Sequence, residues 1–168
     1  VNLEGHGREG DDAGLDLSRT VGWFTSVYPL RLVQGQAAPG ALIRAVKNQR
    51  RAVPGKGIGY GVLWYLGDQT ARQKLGIASP RITFNYLGQF DQSFSDDGDF
   101  QPALESAGRE RSDAAPLANW LEIVGHVYGQ KLTLNWIFSR HQYEVETVER
   151  LVTLYDNALR ELVVHCVE

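Results

Sequence analysis

The chain has 168 residues, of which 43% are hydrophobic and 22% are charged, and its formal net charge is −3. This length and apolar content suffice for one compact unit with its own core. A charge so close to neutral gives no support for binding to nucleic acid or to a membrane surface. No apolar run approaches the roughly 20 residues that a membrane span needs. The single cysteine, Cys166, fits a reducing cytoplasmic compartment because it cannot form an internal disulfide.

The N-terminal segment predicts a short strand followed by a loop. Residues 1–4 have the pattern of a strand end, and Gly5, Gly7 and Gly10 follow in a charged turn. The chain opens without Met and without the basic and apolar stretches of a signal peptide. We therefore expect a fragment that further sequence precedes.

The next elements alternate between strand and helix patterns. Residues 20–32 are rich in β-branched and aromatic side chains, which predicts a strand that ends or kinks near Pro29. Pro39 stands where a helix begins, and Pro54 stops that helix. A glycine-rich turn over residues 55–61, short helices over 62–66 and 70–75, and a strand over 81–87 are predicted to follow.

The C-terminal half has the clearest periodicity. Residues 91–116 are polar and predict a loop, whereas 120–128 and 131–138 predict a hairpin. Gly129 as first turn residue favours a type II′ turn. Apolar residues at helical spacing predict a long amphipathic helix: Val148, Leu151, Val152, Tyr155, Leu159, Leu162 and Val163. The fold class is α/β, with helices packed on a mixed sheet.

Several site patterns are missing from the sequence. There is no Cys/His cluster at metal-ligand spacing and no Gly-x-Ser-x-Gly nucleophile elbow. The glycines of residues 55–61 match neither G-x-G-x-x-G nor a Walker loop, so a tight turn is preferred to a nucleotide site. His126, His141 and His165 are scattered and are interpreted as structural.

The run Glu-Gly-His-Gly-Arg-Glu, residues 4–9, brings two carboxylates, an imidazole and a guanidinium together. Glu4 would stand at a strand end, where catalytic groups of open sheets are common. Arg8 could pair with Glu4 or Glu9 and hold one of them ionised. The alternative is a solvated charged turn, since such clusters are common on surfaces.

Two strand-like runs carry further polar or unusual positions. In Arg-Thr-Val-Gly-Trp-Phe-Thr, residues 19–25, Gly22 marks a bulge or a close ligand approach, with a core strand as the alternative. In Phe-Asn-Tyr-Leu-Gly-Gln, residues 84–89, Asn85 and Tyr86 place an amide and a phenol at the predicted strand end. Their polar tips need partners if they are buried, which leaves a site role open.

These runs, together with Pro-Gly-Lys-Gly-Ile-Gly-Tyr-Gly at residues 54–61, resemble in order and spacing the motifs of nonribosomal peptide synthetase epimerization domains. The resemblance implies one lobe of a chloramphenicol-acetyltransferase-like fold, in which two lobes form a V around a tunnel. It also implies a His-His-x-x-x-Asp-Gly motif in the N-terminal lobe. This chain has no adjacent histidines. Residues 1–168 are thus predicted to be the C-terminal subdomain, with the N-terminal lobe absent and the fragment inactive alone.

The resemblance further implies inversion of an L-aminoacyl or L-peptidyl thioester to its D form. The substrate would be carried on the 4′-phosphopantetheine of a peptidyl carrier protein, with no cofactor or metal bound directly by the chain. Removal of the α-proton requires a positioned base and stabilisation of the enolate. Inversion also needs a proton donor on the opposite face, and Glu4 is the first choice for one of these two groups. The second histidine of the absent lobe would be its partner or the enolate stabiliser, and Arg8 would orient Glu4 or shift its pKa. Asn85 and Tyr86 would polarise the thioester or return the proton.

Three more residues, His6, Gly22 and Trp23, are predicted to contact the substrate. The first predicted helix carries a row of basic side chains, which could bind an acidic helix of the carrier: Arg44, Lys47, Arg50 and Arg51. The alternative is a solvated helix face. Two other functions remain open. One is the C-terminal lobe of a condensation domain, which forms peptide bonds, and the other is a non-catalytic carrier-docking platform.

Overall fold

The protein is described by a computed structural model over residues 1–8, 16–17, 19–32, 38–76, 80–91, 103, 105–106, 108–109, 112, 114–117 and 119–167. Within these ranges, the strands are β1 Asn2–Gly5, β2 Ser26–Pro29, β3 Ile82–Gln89, β4 Leu121–Tyr128 and β5 Lys131–Phe138. The α-helices are α1 Pro39–Arg51, α2 Ile58–Leu66, α3 Gln69–Leu75 and α4 Val145–Val167, and a 3₁₀ turn, Pro54–Gly57, precedes α2. The predicted α/β class is confirmed.

The strands form one mixed five-stranded sheet in the order β2-β1-β3-β4-β5. β1 pairs antiparallel with β2 and parallel with β3. β3 pairs parallel with β4, which forms the antiparallel hairpin with β5. β1 therefore lies inside the sheet, with a neighbour on each side.

One row of paired residues crosses all five strands on the face that packs against α4. Its members are apolar or aromatic: Tyr28, Leu3, Phe84, Ile123 and Trp136. Trp136 meets the ring of Tyr155 in α4 edge to face, with centroids 5.6 Å apart. Because paired residues share a face and successive residues alternate, this row forms an apolar stripe that meets α4 at Trp136 and the start of α2 at Tyr28.

The next row, on the opposite face, is polar at its centre. Glu4 pairs with Val27, and Asn85 pairs with Val124, which in turn pairs with Asn135. A shift of one residue along the strands thus exchanges an apolar row for one that carries a carboxylate and two amides. The register of β1 and β3 therefore decides on which face Glu4 and Asn85 appear.

The strand predicted over residues 20–32 is wrong for most of its length. Only Ser26–Pro29 pairs with β1, while Val21 and Trp23 are almost fully exposed. Their β propensity is high, but a strand also needs a partner for its backbone, and β1 is only four residues long. The alternative interpretation of this run as a core strand is wrong at Val21 and Trp23 as well.

The glycine-rich turn predicted over residues 55–61 is shorter than expected. Gly55, Lys56 and Gly57 all have positive φ, and α2 then begins at Ile58, so Gly59 and Gly61 are helical. Gly57 needs to be glycine, since a Cβ there would lie 2.1 Å from Cδ1 of Tyr28. This contact sets the start of α2 against β2.

The remaining helices and the hairpin agree with the sequence, apart from the turn type. α1 begins at Pro39 and ends before Pro54, and α4 covers the predicted amphipathic segment. Gly129 and Gln130 have φ values of 57° and 59°. Positive φ at both positions makes this a type I′ turn rather than II′. Most of the loop predicted over residues 91–116 lies outside the described residues.

Candidate active site

Glu4 and Asn85 are hydrogen-bonded between neighbouring strands. Asn85 Nδ2 donates to Glu4 Oε2 over 2.7 Å, although the two residues lie 81 positions apart in the sequence. Both side chains are half-buried. Glu4 stands one residue before the end of β1, as predicted, whereas Asn85 is in the middle of β3 and not at its end. The carboxylate is thereby oriented by an amide that the adjacent strand holds in place.

A second polar cluster lies on the same face, two residues earlier in each strand. Asn119 Nδ2 donates to Thr83 Oγ1, and Asn2 Nδ2 donates to Asn119 Oδ1 at 3.5 Å. Thr83 is only 2% exposed. None of these residues is predicted from the sequence. The alternation of polar and apolar residues in Asn-Leu-Glu and Thr-Phe-Asn is the signal that places them beside the candidate base.

Tyr86 lies on the opposite face of the sheet from Glu4. It pairs with Gly125, and a Cβ built on Gly125 would meet Leu134 and the Tyr86 ring, so these three positions share one side. About half of the Tyr86 side chain is exposed. The structure therefore brings Glu4 together with Asn85, but it does not bring Tyr86 to them. A proton-returning role for Tyr86 stays a prediction.

Arg8 is positioned by the loop that follows β1. Its guanidinium donates to the carbonyl oxygens of Leu17 and Thr20, over 2.7 and 2.6 Å, and lies 4.5 Å from the centre of the Phe24 ring. None of these contacts is with Glu4, and Glu9 is outside the described residues. These contacts connect the loop after β1 to the segment before β2. The predicted action of Arg8 on Glu4 stays a prediction.

The turn after Glu4 is stabilised by a hydrogen bond within the turn and by close packing of its glycine. His6 is exposed, and its Nδ1 accepts a hydrogen bond from the backbone N–H of Arg8 over 3.0 Å. Gly7 is buried at a φ of 63°, and a Cβ there would lie 1.6 Å from the carbonyl oxygen of Phe24. Glycine is required at Gly7 because the backbone of the neighbouring segment occupies that space.

Gly22 and Trp23, two of the predicted substrate contacts, stand on the segment before β2. A Cβ on Gly22 would come within 2.8 Å of Cε2 of Phe24. Trp23 is 92% exposed. An indole left in solvent is available to another molecule or another part of the protein. The structure places neither residue against Glu4.

A groove of about 710 Å³ lies between β2 and α2. Val27, Ile58, Tyr60 and Trp64 contribute apolar or aromatic side chains to its lining, and Asn2 contributes a polar one. Tyr60 and Trp64 are stacked, with ring centroids 6.2 Å apart and 17° between planes. Within the described part of the chain, no charged side chain lines this groove.

Comparison with known proteins gives the class to which this fold and site belong. The family model of the condensation domain matches residues 1–168. The chain therefore belongs to the condensation-domain family, and the family resemblance drawn from its motifs is confirmed.

Similar proteins are large peptide synthases. The chain is 44% identical to a component of the linear gramicidin synthase of Brevibacillus parabrevis, over 99% of the chain and 2% of that protein. It is 40% identical to bacitracin synthase 3 of Bacillus licheniformis, over 100% of the chain and 3% of that protein. The chain thus spans a small part of these relatives.

Among solved structures, the fold is similar to the epimerization domain from the third module of tyrocidine synthetase B. The TM-score is 0.84 and the identity 34%, and the match covers 98% of this chain and 36% of that one. Of the helices in the described ranges, none is long and apolar enough to cross a membrane.

Proposed function

We propose that the chain is part of an epimerase that converts L-aminoacyl or L-peptidyl thioesters, held on the phosphopantetheine of a carrier protein, to the D form. The observation that carries this proposal is the oriented carboxylate of Glu4, hydrogen-bonded to Asn85 over 2.7 Å. Similarity to a solved epimerization domain supports it. Both residues belong to runs that resemble epimerization-domain motifs.

In this reaction, the Glu4 carboxylate takes the proton from the α-carbon of the thioester. The electron pair of the broken C–H bond moves into the thioester carbonyl, which becomes an enolate. A second donor then returns a proton to the other face of the α-carbon, because a single base fixed on one face would restore the L form. Each acid–base group typically contributes about 10²–10⁴ in rate. A group outside these 168 residues is our candidate for the second donor.

In this proposal Asn85 holds the base, while its predicted role on the thioester stays a prediction. Its amide donates to one carboxylate oxygen and so limits rotation of the Glu4 side chain. A hydrogen bond to a charged group contributes about 1.5–3 kcal/mol. The polar pair also lies on the face away from α4, in a row that holds a further amide at Asn135.

The test is loss of deuterium from the α-carbon of a carrier-bound L-aminoacyl thioester, measured with the complete protein that carries this chain. Glu4→Gln is expected to lower exchange by about 10²–10⁴ because the amide cannot accept the proton as a carboxylate does. Glu122→Gln is the matched control, since Glu122 occupies the same face of the sheet on β4. Full exchange in Glu4→Gln would remove Glu4 from the scheme.

The Asn85 variant tests the holding role separately. Asn85→Ala is expected to lower kcat for exchange by about 10–150-fold, the equivalent of the lost hydrogen bond, while the protein stays folded at the assay temperature. Asn135→Ala is its control, because Asn135 lies in the same row of the sheet two strands away. Equal kcat values in the two variants would contradict the role of Asn85.

Formation of a peptide bond is the second candidate function, favoured by the condensation-domain match itself. The same assay separates the two reactions. An epimerase needs one loaded carrier and releases α-deuterium, whereas a condensation enzyme needs two loaded carriers and retains it. Peptide formation without exchange would replace our proposal.

A further inference from the structure

The groove between β2 and α2 opens beside Glu4. Val27, which lines the groove, is the cross-strand partner of Glu4 in β1–β2 pairing. Asn2, at the other side of the groove, stands two residues before Glu4 and so on the same face of β1. Two neighbours of the candidate base are therefore walls of this groove.

One wall of the groove, formed by α2, is apolar and aromatic, while polar groups of β1 and of the segment leading into β2 contribute much of the remaining surface. α2 contains no charged residue, and the stacked rings of Tyr60 and Trp64 line the groove with Ile58. Its volume of about 710 Å³ falls in the range of small-molecule sites, about 300–1,000 Å³. The polar groups of the lining come from the two strands that flank Glu4, with Asn2 in β1 and Thr25 just before β2.

We propose that this groove binds the side chain of the aminoacyl group whose α-proton Glu4 removes, and that it selects bulky apolar or aromatic side chains. The inference rests on the proposed function, since it places the α-carbon at Glu4. The side chain is bonded to the same α-carbon, so it must enter a space adjoining the carboxylate. The groove adjoins Glu4 through Val27, and its rings offer stacking and apolar burial to such a side chain.

Two glycines of α2 allow a matched test. A Cβ on Gly59 or on Gly61 meets no atom within 4 Å, yet only Gly61 of the two lines the groove. Gly61→Leu therefore places a side chain on the wall of the groove, from a Cβ that has open space, and Gly59→Leu adds the same side chain elsewhere on the helix. Glycine is about 0.8–1 kcal/mol less favourable in a helix than alanine, and leucine ranks close to alanine, so both variants are expected to keep α2 folded.

The measurement is the ratio of kcat/KM for α-deuterium exchange between carrier-bound phenylalanyl and alanyl thioesters, in the complete protein. Gly61→Leu is expected to lower this ratio by about 10–200-fold, the range for a change in pocket size. Gly59→Leu is expected to keep the wild-type ratio.

Two results would overturn the inference in distinguishable ways. If the wild type exchanges both thioesters but the kcat/KM ratio is unchanged in Gly61→Leu, the groove is not the side-chain site and the proposed epimerase stands. The same conclusion follows if the ratio falls equally in Gly61→Leu and Gly59→Leu. A wild type that exchanges neither thioester would reject the proposed function, and the inference with it.

Discussion

The two ends of the sheet differ in what their apolar side chains contact. At the β4–β5 end, Leu121 and Ile123 are buried with Val148 of α4. At the β2 end, Tyr28 is buried as well, but the helix beside it, α2, is almost entirely apolar and leaves Tyr65 and Leu66 77% and 82% exposed. The β4–β5 end therefore contributes burial to the stability of the unit, whereas α2 leaves an apolar surface for another molecule or another part of the protein, as exposed patches commonly do.

The largest effect on stability is expected at the buried end. Leu121→Ala should lower the free energy of unfolding by about 2–5 kcal/mol because it leaves a cavity at a side chain that is 2% exposed. Leu66→Ala, on α2, should change it by less than about 0.5 kcal/mol. Denaturant unfolding of both variants measures the difference. Equal losses would show that the two ends are packed alike.

A smaller effect is expected where α2 begins. Gly57→Ala should cost about 1–3 kcal/mol, since Gly57 has a φ of 92° and abuts the Tyr28 ring. Gly59→Ala, two residues further, should stabilise the helix by about 0.5–1 kcal/mol. Thermal unfolding of the two variants shows whether the first is destabilised and the second stabilised. A neutral Gly57→Ala would mean that α2 is not anchored on β2.

The smallest effect concerns alkaline pH. Burial raises the pKa of the Tyr155 hydroxyl above its ordinary value of 10.0. As the pH rises past about 10, the unfolded chain loses this proton first, so the free energy of unfolding falls. Tyr155→Phe should make that fall shallower, and Tyr65→Phe on α2 is the comparison. Denaturant unfolding at pH 7 and above pH 10 measures this fall. An equal fall in the free energy of unfolding in wild type and Tyr155→Phe would contradict the prediction.

The sequence predicts best the elements whose signals are local. Pro39 and Pro54 bound α1, and the spacing of apolar residues predicts α4. The start of α2 is predicted too late because Gly59 and Gly61 lower helix propensity, whereas contact of Gly57 with Tyr28 sets its actual start.

The candidate site is predictable in its members but not in its arrangement. Glu4 and Asn85 are both found from their motifs, yet their hydrogen bond depends on parallel pairing between strands far apart in sequence. Tyr86 is next to Asn85 in one contiguous motif, which is why the sequence groups it with Glu4. Alternation along β3 turns its side chain to the other face.

The interior position of β1 has a consequence for the proposed reaction. β1 is paired on both sides, so Glu4 cannot slide along the sheet without breaking two ladders, and a slip of one residue would turn it to the face of α4. The backbone of Glu4 is thus held in one register. Since the proposed substrate arrives on a long tether, we expect that alignment in each cycle falls to the thioester and its carrier, and that the speed of inversion depends on how they are delivered to Glu4.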